Sequence, residues 1–258
     1  MAAASVSLRK DDELAGRVAL VTGAARNIGR AIARSLAAGG AAIIVNANTS
    51  RDAAEETVAL IEREGGHARL HMADVTDPLS VAAMVDAAVE RFGRLDILVN
   101  NHTARGAKPF EEMTYEEWRA VVGVILDGTF ICCRAAAPQM IRAGGGAIVN
   151  ITGQLAHMGT RNGAHVSAAK TGVEGMTRAV ALDLAPHGIT VNCVAPGPIA
   201  TVRDNRTPHR GSGGRSLPPA GRFGTPEEIA AMVRMLCGPE ARFVTGQTIH
   251  VNGGDFRP

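Results

Sequence analysis

The sequence predicts an α/β fold in which one parallel, doubly wound sheet of about seven strands carries helices on both faces. Short apolar runs and amphipathic helical segments alternate six times along the chain, as in parallel sheets joined by right-handed helical crossovers. A length of 258 residues suits one α/β domain, and no shift in composition marks a second domain. We therefore predict a single domain over residues 16–258, preceded by a flexible N-terminal tail over residues 1–15.

Glycines mark the ends of the first two predicted helices. Ile28, Ile32 and Leu36 recur at helical spacing after the first strand, and this helix ends at Gly39 and Gly40. The second helix also ends at a pair of glycines. In this half of the chain, strands are predicted over residues 17–22, 41–46, 67–72 and 95–99, and further helices over residues 51–64 and 79–92.

The second half contains a long apolar helix and the segment that organises the site. The helix is predicted over residues 116–142, because Thr114 followed by Glu117 is a helix start signal. Next come an apolar strand, a polar loop and a helix that carries Lys170, a side chain that leans back over the loop. Ligands of open α/β sheets bind beyond the carboxyl ends of strands, where this loop lies. The last strands are predicted over residues 147–151, 189–194 and 248–251.

Composition and cysteine spacing exclude several classes of function. Aromatic residues make up 3% of the chain, and 27 basic residues are interspersed with 25 acidic ones, which disfavours nucleic-acid binding. The four cysteines form no CxxC pair and no zinc-ligand spacing, so we expect buried free thiols and no metal. The N-terminus lacks a signal-peptide core, and no apolar run reaches the roughly 20 residues of a membrane span. We expect a soluble cytoplasmic protein without nucleic-acid or membrane partners.

One long irregular segment, over residues 201–225, is rich in glycine, proline, serine and arginine. It follows the carboxyl end of a strand, and a loop this long in a compact domain is usually a lid over the substrate. Five arginines stand there against one acid, Asp204. These arginines are either solvated or bind a substrate that carries a carboxylate, a phosphate or a CoA-like group.

The segment TGAARNIG, between the first strand and its helix, is typical of a turn that binds nucleotide phosphates. Gly23 permits the tight turn, Gly29 permits close packing of helix and strand, and the helix N-terminus offers N–H groups to a pyrophosphate. A glycine pair at this spacing is a weak signal alone and a stronger one after the first strand of a β-α-β unit. The alternative is a purely structural turn.

The sequence resembles the short-chain dehydrogenase/reductase family in five segments. They are this turn, DVT after the third strand, NNHTA after the fourth, PGPI after the sixth and the late VTGQTIHVNGG. The resemblance covers nearly all of residues 17–254 and implies a Rossmann-type domain that binds NAD(P). Asn27 stands where the family usually has a glycine, and asparagine tolerates a left-handed backbone better than most residues. The resemblance implies these cofactor-binding residues: Gly23, Arg26, Asn27, Ile28, Gly29, Asp74, Val75, Asn100, Asn101, Lys170, Pro196, Gly197, Ile199 and Thr201.

The end of the second strand predicts which nicotinamide cofactor is bound. NAD(H) favours a carboxylate there, on the ribose diol, whereas the 2′-phosphate of NADP(H) favours cations. Residues 45–51 contain no acid, and Arg26 stands beside the turn, where basic residues accompany NADP(H) in this family. We predict NADP(H) rather than NAD(H); the alternative for Arg26 and Arg51 is solvated surface charge.

The resemblance also implies a catalytic tetrad of asparagine, serine, tyrosine and lysine, in which the tyrosine delivers a proton as hydride arrives. Lys170 holds the lysine position. The other three positions hold Ile125, Gly153 and Val166, which offer no polar side chain. One subgroup without the tyrosine, the 2,4-dienoyl-CoA reductases, includes members with a histidine five positions before the lysine, and His165 stands there.

Besides Lys170, four polar residues near these positions are candidates for the missing chemistry. We select Lys170 and His165 as the candidate catalytic residues, although a lone histidine such as His165 is more often structural. Ser167 shares a helical face with Lys170, but a hydroxyl is a poor acid and a capping role suits it better. Gln154 could orient a carbonyl or lie on a surface loop. His102 follows the two asparagines and could border the cofactor.

These observations predict an atypical oxidoreductase that transfers hydride between NADP(H) and a small carbonyl, conjugated enone or iminium-like substrate without a tyrosine acid. The chain has a single tyrosine, Tyr115, far upstream of the site. The alternatives are a cofactor-binding pseudoenzyme, a non-redox lyase or isomerase on the same scaffold, and, third, a binding module. In this family, apolar helices like those over residues 116–142 and 166–186 pair subunits, which implies a homotetramer or homodimer.

Overall fold

Seven parallel strands form one sheet in the order β3-β2-β1-β4-β5-β6-β7. The computed structural model of the chain describes residues 12–201 and 217–258. The predicted α/β class with a doubly wound parallel sheet is confirmed. The strands are β1 (Val18–Val21), β2 (Ala42–Ala47), β3 (His67–Met72), β4 (Ile97–Asn100), β5 (Gly146–Ile151), β6 (Ile189–Pro196) and β7 (Thr248–Val251).

Helices cover both faces of the sheet. Ile32 and Ile229 are fully buried in one apolar core. Met84 and Met140 belong to a second core on the opposite face. The α-helices in the described ranges are α1 (Asn27–Ala38), α2 (Arg51–Arg63), α3 (Pro78–Phe92), α4 (Tyr115–Val122), α5 (Gly128–Arg142), α6 (Leu155–Met158), α7 (Ala164–Leu184) and α8 (Pro226–Cys237).

The strand order reverses between β1 and β4, which places a crevice at their carboxyl ends. Val21 at the end of β1 pairs with Val45 of β2 and with Val99 of β4. On the other side of β4, Asn100 pairs with Asn150 of β5. The ends of these four strands therefore lie within about two residues of one another, so the polar segments that follow them meet at one edge of the sheet.

The predicted long helix is present, but it is interrupted by a π-helical segment, Gly123–Asp127. The start is as predicted: the Thr114 hydroxyl accepts a hydrogen bond from the Glu117 backbone N–H, and the Glu117 carboxylate accepts one from the Thr114 N–H. The interruption corrects the expectation of one regular α-helix. It occurs where the Thr129 hydroxyl donates a 2.6 Å hydrogen bond to the carbonyl of Ile125, and π segments of this kind often lie at functional sites.

By length and composition alone, the continuous helical stretch Tyr115–Arg142 is long and apolar enough to cross a membrane. This corrects the expectation that no stretch of the sequence passes that test. Core helices of soluble proteins pass it as well, and Ile125, Cys133 and Met140 on this stretch are buried within the domain. Part of its apolar surface therefore serves the core.

The end of the predicted N-terminal tail is packed against the domain. Leu14 is buried in the core beside α1, and its backbone N–H donates a 2.7 Å hydrogen bond to the carbonyl of Gly39. Glu13 forms a 2.5 Å ion pair with Arg234 of α8. The packed chain therefore begins before residue 16, the start of the predicted domain, and residues 1–11 lie outside the described residues.

Both described flanks of the predicted lid are anchored. The backbone N–H of Ala200 donates a 2.8 Å hydrogen bond to the carbonyl of Gly224. Arg222 forms an ion pair with Glu228 at 2.5 Å, and this pairing lowers the pKa of Glu228 to about 2. Residues 202–216, with most of the lid arginines, lie outside the described residues, so a lid over the cavity stays a prediction.

Candidate active site

A cavity of about 950 Å³ opens at the carboxyl ends of the strands. Segments that follow β1 to β6 form its walls, as expected for a ligand site in an open α/β sheet. Three predicted site residues, Asn100, His165 and Ile199, are placed outside its lining. Those that line it are Gly23, Arg26, Asn27, Ile28, Gly29, Asp74, Val75, Asn101, Lys170, Pro196, Gly197 and Thr201.

The turn between β1 and α1 has a backbone that specific residues must provide. Gly23 has a φ of +60°, and Asn27 has a φ of +50°, so both lie in the left-handed region. Asparagine is one of the few residues with a side chain that occupies this region readily, as predicted for Asn27. A Cβ at Gly29 would lie 2.9 Å from the Cα of Ala24, closer than real Cβ atoms come. These contacts leave the start of α1 open toward the cavity, which fits a pyrophosphate at a helix N-terminus.

Asn101 holds this turn from the neighbouring strand. Its side-chain amide donates hydrogen bonds to the carbonyls of Gly23, at 3.0 Å, and Thr22, at 3.2 Å. The backbone N–H of Asn101 donates a 2.9 Å bond to the Thr22 hydroxyl. The asparagine that the family resemblance places beneath the cofactor therefore fixes the shape of the turn between β1 and α1, residues 22–29, which we call the phosphate turn.

His102 lines the cavity, and its neutral ring connects the segment after β1 to α5. Thr129 donates its hydroxyl hydrogen to Ile125, so it accepts from Nε2 of His102 at 3.3 Å. The other ring nitrogen, Nδ1, then accepts from the Thr22 hydroxyl at 2.8 Å. Burial lowers the pKa of His102 to about 3. Because both nitrogens are engaged and the ring stays neutral, His102 is suited to positioning β1 and α5 rather than to proton transfer.

The part of the cavity at the end of β2 is lined by neutral polar residues. Asn46, Asn48, Thr49 and Ser50 line it, and none of them offers a carboxylate. The nearest acid in the lining, Asp74, accepts hydrogen bonds from Thr76 and Asn48, and these bonds lower its pKa. Arg26 lines the same region from the phosphate turn.

Lys170 lies on the second turn of α7 and lines the cavity. Its Nζ donates a 2.6 Å hydrogen bond to the carbonyl of Ile151, at the end of β5. Burial lowers the pKa of Lys170 to about 8. The side chain is therefore held over the carboxyl end of β5, as predicted. At mildly alkaline pH, near 8, the ammonium group of Lys170 begins to lose its proton.

The three positions that the resemblance assigns to other tetrad members are apolar in the folded protein. Val166, one helical turn before Lys170, lines the same cavity, and so does Gly153. A Cβ at Gly153 would meet nothing closer than the carbonyl oxygen of Pro196, at 3.9 Å. Ile125 is 1% exposed and packs in an apolar cluster between α4 and α7. Val166 and Gly153 therefore offer no polar side chain to the cavity beside Lys170, and Ile125 does not line it.

His165 is buried behind a loop rather than facing the cavity. The side chain is 2% exposed, and a Cβ at Gly106 would lie 2.6 Å from its Nε2. Its Nδ1 is buried without a hydrogen-bond partner among the described residues. This placement gives His165 a packing role against the loop after β4, and the catalytic role assigned to it from the sequence stays a prediction that this geometry does not favour.

The two other polar candidates near Lys170 are engaged with neighbouring residues. The Ser167 hydroxyl donates to the carbonyl of Leu155 at 3.3 Å, which is a local structural bond. The side-chain N–H of Gln154 donates to the carboxylate of Asp255, while its carbonyl oxygen is buried without a described partner. Gln154 lines the cavity, so it remains the polar side chain next to Gly153.

Asn100 and Ile199 support the site from outside the cavity. The Asn100 amide donates a 2.8 Å hydrogen bond to the side chain of Asn150, which in turn donates a 2.8 Å bond to Thr177 on α7. Ile199 forms an isolated parallel bridge with Gly224 at the exit from β6. Asn100 therefore ties β4 to β5 and α7, and Ile199 anchors the chain next to Thr201.

Two arginines that the sequence analysis did not single out also line the cavity. Arg105 follows β4, and Arg161 precedes α7. Each lies in a loop beyond the carboxyl end of a strand, and that position was the signal that could have indicated them. Arg105 directly follows the NNHTA motif, but neither arginine belongs to a motif itself, so their approach to one cavity becomes visible only once the strand order is known.

The cysteines are free and buried, as predicted. Burial raises the pKa of Cys133, Cys193 and Cys237 to about 12 and raises that of Cys132 as well. Such thiols carry almost no thiolate at neutral pH and are poor nucleophiles. Within residues 12–201 and 217–258, no three histidine, cysteine or acidic side chains are grouped as a metal site.

Comparisons with known proteins agree on one family. The family described as enoyl-(acyl carrier protein) reductase matches residues 23–255. A 3-oxoacyl-[acyl-carrier-protein] reductase from Synechocystis is 41% identical over 242 residues, which is 93% of this chain and 97% of the relative. The short-chain reductase protein NovJ from Streptomyces niveus is 42% identical over 245 residues, 92% of this chain and 93% of the relative.

Solved structures show the same architecture. A short-chain dehydrogenase from Burkholderia cenocepacia in complex with NADP superposes with a TM-score of 0.88 at 35% identity, covering 94% of this chain and 99% of that chain. A dehydrogenase/reductase from Sinorhizobium meliloti superposes with a TM-score of 0.90 at 34% identity, covering 96% and 98%. The fold, the phosphate turn and these relatives together show that the chain belongs to the short-chain dehydrogenase/reductase family of oxidoreductases.

Proposed function

We propose that this chain is an NADP(H)-dependent reductase that transfers hydride to a conjugated carbonyl or iminium-like substrate without a tyrosine acid. The observation that carries the proposal is the side of the cavity around Lys170. Val166 stands one helical turn before Lys170 in the cavity wall, and the single tyrosine, Tyr115, is 71% exposed at the start of α4. A proton donor of the usual kind is therefore absent from the place where the family resemblance expects it.

The chemistry that remains is divided between the cofactor and Lys170. When bound, the nicotinamide ring supplies the hydride. Lys170 can bind a ribose hydroxyl of the cofactor and, as an ammonium group, favour negative charge that develops nearby. General acid catalysis usually contributes about 10²- to 10⁴-fold. Hydride addition turns a conjugated carbonyl into a delocalised enolate that can take its proton from water, and it turns an iminium into a neutral amine without a proton, so these substrates lose least when the general acid is missing.

We expect NADPH to bind at least about tenfold more tightly than NADH, a difference of about 1.4 kcal/mol. The neutral end of β2 and the position of Arg26 support this expectation, because a 2′-phosphate meets no carboxylate there. Titration of the intrinsic nicotinamide fluorescence of both cofactors gives the two dissociation constants. Arg26→Gln should weaken NADPH binding and leave NADH binding nearly unchanged. Equal affinity for the two cofactors, or a preference for NADH, would contradict the assignment.

The proposed reaction is tested by incubating the protein with NADPH and a panel of substrates while following nicotinamide absorbance. The panel contains conjugated enones, cyclic iminium compounds, simple ketones and a 3-oxoacyl thioester, the class named in the Synechocystis relative. We expect the enones and iminium compounds to consume NADPH faster than the simple ketones. Faster turnover of simple ketones would refute the proposed substrate class.

The absence of three of the four polar tetrad side chains also favours one alternative, a protein that binds the cofactor without redox chemistry. Tight NADPH binding together with no cofactor consumption across the whole panel would establish that alternative. Product analysis by NMR would then distinguish a pseudoenzyme from a lyase or isomerase, because only the latter two convert a substrate without changing the nicotinamide.

We further propose that the protein works in the cytoplasm as a homodimer or homotetramer. Exposed apolar side chains support subunit pairing: Phe130 on α5 is 52% exposed, and Leu182 on α7 is 78% exposed. Such side chains are costly to leave in water when they cluster on one surface. The molar mass measured by light scattering tests this, and a monomer at micromolar concentration would contradict it.

A further inference from the structure

The charges that line the cavity are unevenly distributed along it. Arg26, Arg105, Arg161 and Lys170 line its walls, against one carboxylate, that of Asp74. Arg26 belongs to the phosphate turn, and Lys170 lies at the end of β5. Asp74 is occupied by Thr76 and Asn48 at the β3 end of the cavity. Arg105 and Arg161 are therefore the two lining cations that belong neither to the turn between β1 and α1 nor to the end of β5.

The two loops that carry these arginines are tied to each other. The backbone N–H of Lys108 donates a 2.9 Å hydrogen bond to the carbonyl of Asn162. Asn162 has a φ of +61°, so the chain makes a sharp turn directly after Arg161. Gly106, next to Arg105, packs against the buried ring of His165 at the start of α7. Arg105 and Arg161 thus lie on two loops that contact each other at the wall of the cavity.

The chemistry of these side chains matches an oxyanion. A guanidinium group offers a planar fork of N–H donors that binds a carboxylate or a phosphate through two parallel hydrogen bonds. Arg161 forms no ion pair or hydrogen bond with any described residue, so a ligand would not have to displace an internal carboxylate from it. Both arginines are exposed, which limits the affinity that each adds.

We propose that Arg105 and Arg161 form an anion-binding subsite for a carboxylate or phosphate group carried by the substrate. This inference deepens the proposed function, on which it rests for its biological meaning, by naming the substrate class as an anionic one. The reacting carbon would lie toward Lys170, and the anionic group would lie at the mouth of the cavity. The subsite is distinct from the phosphate turn, because its residues come from different loops.

Calorimetric titration of the NADP⁺-saturated protein tests the subsite without requiring turnover. The probes are glutarate for a carboxylate, glycerol 3-phosphate for a phosphate, and neutral glutaramide as the control ligand. We expect one or both anions to bind at low salt more tightly than glutaramide, with the tighter one identifying the group. Arg161→Gln and Arg105→Gln should each weaken that binding by about two- to fivefold, whereas Arg178→Gln, which removes an exposed arginine on α7 outside the cavity, should not.

Two results would overturn the subsite: no binding of either anion, or equal loss of binding in Arg161→Gln and Arg178→Gln. A different set of results would contradict the proposed function and leave the subsite intact. In that case the anion would still bind in an Arg161-dependent manner, while no substrate in the panel consumed NADPH. If NADP⁺ itself does not bind, the same titrations are made on the ligand-free protein, and dependence on Arg161 but not on Arg26 locates the anion.

Discussion

Restoring a tyrosine and a serine to the cavity should create efficient reduction of simple ketones. In the double variant Gly153→Ser/Val166→Tyr, we expect kcat/KM for a simple ketone to rise by about 10²- to 10⁴-fold, the usual contribution of a general acid. The structure leaves room for both changes. An added Cβ at Gly153 has no neighbour closer than 3.9 Å, and Val166 already lines the cavity next to Lys170.

The matched control is Gly153→Ser/Val166→Phe, which adds the same ring without the hydroxyl. It should stay as slow as the unchanged protein, because bulk alone supplies no proton. If both double variants gain the same activity, the tyrosine hydroxyl is not the missing group. If neither gains activity although NADPH binds normally, the scaffold has lost more than its proton donor, and the non-redox alternative becomes the better explanation.

The third apolar position, Ile125, is deliberately left unchanged in this experiment. Its side chain is 1% exposed and belongs to a cluster with Val121, Ala169 and Val173. Asparagine there would bury an amide that has no evident partner among the described residues, at a cost of about 1–3 kcal/mol. Loss of stability would then be mistaken for loss of function.

The fold could be predicted from the sequence because each strand and helix has a local signal. Ile32 and Leu36 recur at helical spacing, and the glycines that follow them end the helix where the structure ends α1, at Ala38. The left-handed backbone conformation at position 27 could also be predicted, because asparagine adopts a φ such as +50° more readily than most residues. In these cases the local sequence and the final structure favour the same conformation.

The parts that could not be predicted depend on contacts between distant segments. The π-helical turn around Ile125 has no local signal, and it accompanies packing against α7 and the hydrogen bond from Thr129. His165 was selected for its spacing from Lys170, yet its burial depends on where Gly106 approaches α7. Arg161 could not be predicted from the sequence either, because its position at the cavity follows from strand order rather than from any motif.

Removing the amine of Lys170 should have the second-largest effect, a loss of about 10²- to 10³-fold in kcat/KM, as expected when a donor to developing charge is deleted. The variant is Lys170→Met, which keeps the length of the side chain. Its measurement is the steady-state rate with NADPH and the best substrate of the panel. Lys170→Arg should restore part of the rate if charge is what matters.

The pH dependence separates this role from a purely structural one. Burial lowers the pKa of Lys170 from 10.5 to about 8, so the ammonium form is lost as pH rises through 8. We expect kcat/KM of the unchanged protein to fall above pH 8, by about tenfold per pH unit at most, and that of Lys170→Arg to stay level. A profile that stays level in the unchanged protein would show that the reaction does not use the charged form of Lys170.

The contribution of Lys170 to stability should change with pH in the opposite direction. Between pH 8 and 10.5 the unfolded chain holds a proton on Lys170 that the folded protein has released, so the free energy of unfolding rises with pH. The rise from this group is at most about 1.4 kcal/mol per pH unit. Subtracting the unfolding curve of Lys170→Met isolates this contribution from all other groups. Because the Lys170 contribution to stability rises while activity falls, deprotonation of Lys170 lowers the rate without destabilising the fold, and an unfolding curve of the unchanged protein above pH 8 distinguishes the two effects.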